Sequence, residues 1–362
     1  MKTILAPCLI GLATLIAAPA LGQDAPFKVE LLGSITLPTG LSIAGEEFGG
    51  ISGLDYDPAN DLYYAISDDR AQKAPARFYT LRLKVDAEGV HGVDIVASHL
   101  LRDAGGNVFP AKGIDPESIR YNAAARTIFW STENDLAGNP GVYESRLDGS
   151  FLRAFAVPDY YKPAADGASG IYSNLAFESL AISADGAALL AGTENALAQD
   201  GDKATLETGS PTRIITFDIA SGQPTAEHVY ETGPIHTKAT AEPPYNDNGL
   251  SELMVFDDAH LLTLERSFAA GPGNEINVYL TDLSAATDVN GKPAIKGETV
   301  EPAAKQHVFK IGEGDFGLDV DNIESVTFGP EIDGKRTLVI ALDNNFNPVG
   351  QFTQFVVFTL VN

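Results

Sequence analysis

A chain of 362 residues with 49 acidic and 24 basic side chains carries a formal net charge of −25. That field disfavours nucleic acid, anionic membranes and polyanionic substrates unless bound cations reverse it locally. Hydrophobic residues make up 44% of the chain, with 12 Tyr and 18 Phe, which excludes disorder and supports a large core, while Cys8 as sole cysteine excludes disulfide and thiolate chemistry from everything after it.

Residues 1–22 read as a secretory signal: Lys2, an apolar run from Thr3 to Ala18, then a small-residue cleavage site. Ala20-Leu21-Gly22 is the first choice of site and Ala18-Pro19-Ala20 the second. The apolar run is too short to span a membrane. Pro7 stands before Cys8, where a lipoprotein carries a small residue. The expected mature chain, 23–362, is therefore secreted or periplasmic. No Pro/Ser linker or shift of composition divides it, so one domain is expected.

Phe27 to Leu37 alternates as a strand. From Gly50 onward one pattern then occurs five times: GISGLDYDPANDLYYAISDD, DPESIRYNAAARTIFWSTEND from Asp115, NLAFESLAISADGAALLAGTEN from Asn174, NGLSELMVFDDAHLLTLERS from Asn248, and DNIESVTFGPEIDGKRTLVIALDNN from Asp321. Each reads as a strand opening on an acid or Ser, a turn, and a second strand closing on an acid. An antiparallel hairpin brings its first and last residues to the same edge. The spacing therefore pairs Glu117 with Glu133, Glu178 with Glu194, Ser251/Glu252 with Glu265, Glu324 with Asp343, and Ser52 with Asp68/Asp69.

Each interval holds two further strand-like runs: Phe78 to Val85 and Val93 to Leu100, Gly141 to Leu147 and Phe151 to Val157, Arg213 to Ile219 and His228 to Glu231, Glu275 to Leu283 and Gln306 to Ile311. Four strands per repeat, arranged radially, make a β-propeller blade. The expectation is an all-β, five-bladed propeller, with six blades if a degenerate unit lies between Arg266 and Asp321. Gln351 to Val361 supplies only a third strand to the last blade. Phe27 to Leu37 is the natural fourth, since an unclosed ring leaves a sheet edge open. The long polar segments, such as Asp103 to Pro116, Ala196 to Thr212 and Thr232 to Asn248, all flank the acid-bearing ends. Loops of that length usually serve function.

Acids beside turns also end strands simply as turn formers. Their recurrence around a ring argues for more. Two carboxylates about 5 Å apart at an effective dielectric of about 20 repel by roughly 3 kcal/mol. Protons, intruding basic groups or a hard cation must relieve that, and Ca²⁺, with its flexible set of oxygen ligands, suits a site assembled from separate blades. The candidate ligands are Asp68, Asp69, Glu117, Glu133, Glu178, Glu194, Glu252, Glu265, Glu324 and Asp343. Arg70 and Arg266, each directly after a second-strand acid, are candidates for bidentate phosphate contacts, or else simply neutralise their neighbours. There is no H-E-x-x-H, G-x-S-x-G, P-loop or dinucleotide fingerprint, and the 6 His are scattered singly. Trp130, on an inner strand, reads as core.

The repeated G-[IL]-x-[ES]-[SG]-[LI] strand starts, with second acids in S-D-D, T-E-N, T-E-N, L-E-R and L-D-N, resemble the phytase-like family described by esterase-like activity of phytase. More distantly they are similar to calcium-dependent β-propeller phytases, which have six blades. The resemblance covers the chain from about Gly49 to its end. It implies a secreted propeller hydrolysing phosphoesters, with Glu117, Glu133, Glu178, Glu194, Glu265, Glu324 and Asp343 as metal-binding acids and a small phosphate ester as substrate. Two other functions stay open. One is a calcium-dependent lactonase-type hydrolase using Asn134, Asn195 or Asn344 beside the second acids. The other is a non-catalytic binding propeller, since fold does not dictate function.

Overall fold

Short Asp-centred turns set the hairpins. The carboxylates of Asp57, Asp185 and Asp257 each accept the backbone N–H of the second residue on, at 3.0, 3.0 and 2.9 Å. This fixes the chain reversal between the first two strands of three repeats. In the computed structural model, which describes residues 25–43 and 45–361, these hairpins belong to five antiparallel four-stranded sheets. The expected signal segment, 1–22, lies outside the described residues.

Blade 1 comprises Ile51–Asp57, Leu62–Ser67, Arg77–Asp86 and Gly89–Leu100. Blade 2 comprises Pro116–Asn122, Thr127–Thr132, Gly141–Arg146 and Phe151–Ala154. Blade 3 is Phe177–Ile182, Ala188–Thr193, Pro211–Asp218 and Pro224–Glu231, and blade 4 is Asn246–Val255, Leu261–Ala269, Gly273–Asp282 and Ala304–Gly312. Blade 5 takes Asn322–Phe328, Thr337–Asp343 and Thr353–Val361 from the end of the chain and Lys28–Leu37 from its start. The two terminal strands pair in antiparallel register from Lys28 opposite Val361 to Leu37 opposite Thr353, the closure expected from the sequence. The stretch between Arg266 and Asp321 holds only strands of blade 4, so the ring has five blades. Among the described residues the only helical pieces are two 3-10 turns, Asp159–Tyr161 and Asp315–Gly317.

The first strand of each blade packs against the first strand of the next, closing a ring around a central channel. The second strands Thr127–Thr132 and Thr337–Asp343 are buried at every position and the others at most positions, being covered on both faces by neighbouring blades. The core is accordingly one apolar cluster per blade interface. Leu54 and Tyr63 pack with Val339 and Phe355, Phe78 with Ile119 and Trp130, Phe129 with Phe177, Ile214 with Leu253, and Leu264 with Ile340. Trp130 is fully buried and its indole N–H donates to Ser145 Oγ at 3.0 Å, a core role.

Every inner strand carries a β-bulge at the same repeat position. The register slips between Ile51 and Gly53, Pro116 and Ile119, Phe177 and Ser179, Leu250 and Glu252, and Ile323 and Ser325. The slipped positions hold Ser52, Glu117 with Ser118, Glu178, Ser251 and Glu324. A bulge re-aims the side chain it displaces.

Candidate functional site

Two rings of side chains meet at one mouth of the channel. The first comes from the bulges: Ser52, Glu117, Glu178, Ser251 and Glu324. The second comes from the residue that faces, across each hairpin, the position two before the bulge. Asp68, Glu133 and Glu194 donate their backbone N–H to Gly50, Asp115 and Ala176, while Arg266 pairs with Gly249 and Asp343 with Asn322. These five hairpin positions are equivalent. In blade 4 the equivalent position is therefore held by Arg266, and the acid next to it, Glu265, pairs with Leu250 one step earlier.

Glycine permits the crowding. A Cβ on Gly249 would lie 2.3 Å from Glu194 Cγ, so the Glu194 side chain crosses onto the neighbouring blade only because residue 249 has none. At Gly50, where φ is +65°, a Cβ would meet Asp68 Oδ1 at 2.3 Å.

Two carboxylate triads result, Asp115 with Glu117 and Glu133, and Glu133 with Glu178 and Glu194. In each, one oxygen per residue lies within 4.8 Å of the others, and Glu133 belongs to both. All five residues are buried. Hydrogen bonds satisfy them only in part. Ser52 Oγ donates to Glu117 Oε2 at 2.6 Å and the Ala176 N–H to Glu133 Oε1 at 2.7 Å. Glu133 Oε2, Asp68 Oδ1 and both oxygens of Asp343 are buried without a donor in bonding geometry.

Arg266 spans the ring, its Nη2 donating to Glu194 Oε1 at 3.3 Å and its Nη1 lying 3.6 Å from Glu324 Oε1 while donating to Asn322 Oδ1. Its Nε is buried and unpartnered. Arg70 reaches the next blade, with Nε 3.2 Å from Asp115 Oδ2 and Nη2 donating to Asn134 Oδ1 at 3.4 Å.

The electrostatics follow from burial. Loss of hydration pushes Asp115 up to about 6, Glu133 up to about 7, and Glu194 and Asp343 up to about 8, with Arg70 and Arg266 pulling back on Asp115 and Glu194 respectively. Burial, then repulsion from Glu178, Glu133 and Asp343 respectively, raises Glu117, Glu178 and Asp68 well above the usual carboxylate range. Burial raises Glu324 too, against the opposing pull of Arg266. Near neutral pH the cluster must hold shared protons or a counter-cation. Its donor set is all carboxylate oxygen, several of those oxygens lack a donor, and the triads are drawn from separate blades: this fits a hard divalent cation.

Three expected ligands stand elsewhere. Asp69 turns into the loop beyond blade 1, accepting from Arg77 Nη1 at 2.7 Å and from the backbone of Gln72, Lys73 and Ala74. Burial penalises its charge, but these donors outweigh that and hold it below the usual range. Glu265 faces away from the channel, accepting from Tyr230 OH at 2.7 Å, the Gly233 N–H at 2.7 Å and Lys305 Nζ. Glu252 lies deeper in the channel, in a buried ion pair with Arg120 at 2.8 Å, and burial pushes it up to about 7. Arg120 also donates to the carbonyls of Leu54, Ile119 and Leu253, so the pair ties inner strands of several blades together between the acidic mouth and a cavity of about 690 Å³ at the opposite one.

Asp115 was not among the expected ligands, because it precedes its strand; its place opposite Glu133 in the hairpin was the available signal. Asn195 and Asn344 hold loops, accepting from the backbone of Ala204 and of Gly50 and Phe346, while Asn134 donates to Asp115 at 3.0 Å. Above the rings opens a cavity of about 300 Å³, whose lining includes Asp68, Glu117, Glu178, Glu194, Arg266 and Glu324.

Among solved structures, a bifunctional GH43-CE protein from Bacteroides eggerthii is similar over 85% of this chain, at 12% identity and a TM-score of 0.45; this chain covers 33% of that one. The comparison with curated proteins gives no match. A family model described as phytase-like, with esterase-like activity of phytase, matches residues 46–346, which takes in all five inner hairpins up to and just beyond Asp343. With its five blades and carboxylate clusters suited to holding a metal, the chain belongs to this phytase-like family.

Proposed function

We propose that the protein is a secreted or periplasmic hydrolase of small-molecule phosphoesters, with Ca²⁺ held by Asp115, Glu117, Glu133, Glu178 and Glu194. The observation that supports this reading above others is the pair of buried triads sharing Glu133, beside the guanidinium of Arg266. Bound there, Ca²⁺ would supply charge neutralisation for a phosphoryl group and a more acidic water. Arg266, which lines the cavity above the triads, would attract and orient an anionic substrate through its guanidinium charge. Ser52 holds Glu117 in position, and Arg70 holds Asp115. The rest of the acidic ring sets the cost of leaving the cation out, because ionised neighbours repel where no cation compensates them.

The test combines metal analysis and calorimetric Ca²⁺ titration with initial rates on a nitrophenyl phosphate, phytate, a carboxylic ester and a lactone. Turnover of the phosphoesters that chelator abolishes and Ca²⁺ restores is the expected result. Turnover of the lactone alone would transfer the assignment to a lactonase-type hydrolase, and absence of both cation and turnover would leave a binding propeller.

A further inference from the structure

The cavity above the acidic rings has two unlike walls. Its floor is carboxylate and guanidinium. Its lip, where blades 3 and 4 approach, carries Leu175, Tyr245 and Phe268. Tyr245 is 56% exposed, among the largest apolar surfaces left open to solvent. Its position is nevertheless fixed. The Ala270 N–H donates to its carbonyl at 2.8 Å, its hydroxyl donates to Asp247 Oδ2, and its ring lies 6.1 Å from that of Phe268 at a 40° tilt. An aromatic ring held in place with much of its surface open to solvent, at the edge of a polar hole, is suited to a flat apolar group whose anionic end points inward.

Size and charge narrow the ligand further. About 300 Å³ is at the lower end of small-molecule pockets. Among the described residues that line the cavity, Arg266 is the one cationic side chain. A substrate bearing several phosphates would bring charge that this wall does not balance, whereas a single phosphoryl group matches one guanidinium and one cation cluster.

We infer that Tyr245 is a specificity-determining residue of this site, and that the site takes phosphate monoesters with one ring-sized aromatic leaving group in preference to alkyl or multiply phosphorylated compounds. The inference rests on the phosphoester reading above and narrows its substrate class. Tyr245 acts by contact with the leaving group and takes no part in bond cleavage.

Binding rather than turnover is the readout. Phenylphosphonate and methylphosphonate, standing in for the two monoesters because their P–C bond is not hydrolysed, are titrated calorimetrically with inorganic phosphate and phytate into the full Ca²⁺-loaded chain, its Tyr245→Ala variant and its Tyr245→Phe variant. The parent is expected to bind the phenyl compound about tenfold more tightly than the methyl one, the order of one aromatic contact. Tyr245→Ala should erase that ratio while keeping Ca²⁺ and inorganic phosphate affinity, and Tyr245→Phe should retain it. Equal affinity for the two phosphonates in the parent, phytate as the tightest ligand, or an unchanged ratio in Tyr245→Ala each overturns the inference while leaving phosphate binding intact. Failure to bind Ca²⁺ or any phosphate overturns both the inference and the reading beneath it, and Ca²⁺ titration of the parent tells the two failures apart.

Discussion

One residue step separates a member of the ring from a bystander. Glu265 and Arg266 look interchangeable in sequence, because L-E-R repeats the form of T-E-N in the second and third units. Only the ladder shows that Arg266 is the equivalent of Glu133 and Glu194. A one-residue change of register sends a strand side chain to the opposite face, and hydropathy does not report it when both residues are charged. The same ambiguity made Asp69 and Glu252 look like ligands, each one step from the ring positions Asp68 and Ser251. The geometry separates these roles by measurement. Glu133→Gln removes the carboxylate common to both triads, so Ca²⁺ affinity should drop by more than about tenfold, or ~1.4 kcal/mol, while the cation-free protein, with less repulsion, melts at or above the parent temperature. Glu265→Gln should do the reverse, keeping Ca²⁺ affinity and losing about 1–3 kcal/mol of stability as Lys305 and Tyr230 lose an ionised partner. Calorimetric titration and thermal melting on both variants check the assignment; loss of Ca²⁺ binding in Glu265→Gln would contradict it.

At the level of elements, the strands were readable because apolar runs of five to ten residues alternate with Asp, Gly and Pro turns. Boundaries slipped where polar residues begin a strand. Blade 3 ends in Pro224–Glu231, four residues longer at its start than the apolar signal at His228 to Glu231: Pro224, Ala226 and Glu227 sit opposite Phe217, Thr216 and Ile215, and Thr225 lies in the bulge between the first two. The bulges were not readable, because an extra residue in a strand resembles an ordinary change of phase. They decide the site all the same, for they place Glu117, Glu178 and Glu324 at the channel. The pairing of the two ends was readable from the missing fourth strand, and it has a mechanical consequence. Deleting residues up to Leu37 would uncover the Thr353–Val361 edge and remove Phe27 from its stack on Phe256 at 4.9 Å. Exposed edges recruit other strands. The truncated protein should associate with rising concentration and melt earlier than the parent, measured by light scattering after size exclusion and by calorimetry. A monodisperse truncation with the parent melting temperature would show that the closure contributes nothing.

Across the whole molecule, the five blade interfaces supply apolar burial while the channel mouth opposes folding, because its carboxyl groups titrate far above their unfolded values. Glu133 near 7 and Glu194 and Asp343 near 8 compare with about 4 in an unfolded chain. Between those limits the folded protein binds more protons than the unfolded one, so stability must decrease as pH rises through the window. A cation bound there would reverse this trend: it would bind the ionised carboxylates and compete with protons, so its affinity would rise with pH over the same range. Chelator-treated protein should therefore lose melting temperature steadily from about pH 5 to about pH 8, while a fixed Ca²⁺ concentration, set at 100 times the dissociation constant found at pH 5, restores about 2.7 kcal/mol there and more at pH 8, where binding is tighter. Scanning calorimetry at both pH values, with and without Ca²⁺, measures the linkage directly. Equal melting temperatures with chelator at the two pH values, and no rise on adding Ca²⁺, would mean that the buried acids are balanced within the protein by Arg70, Arg266 and shared protons, and the mouth of the channel would lose its case as a cation site.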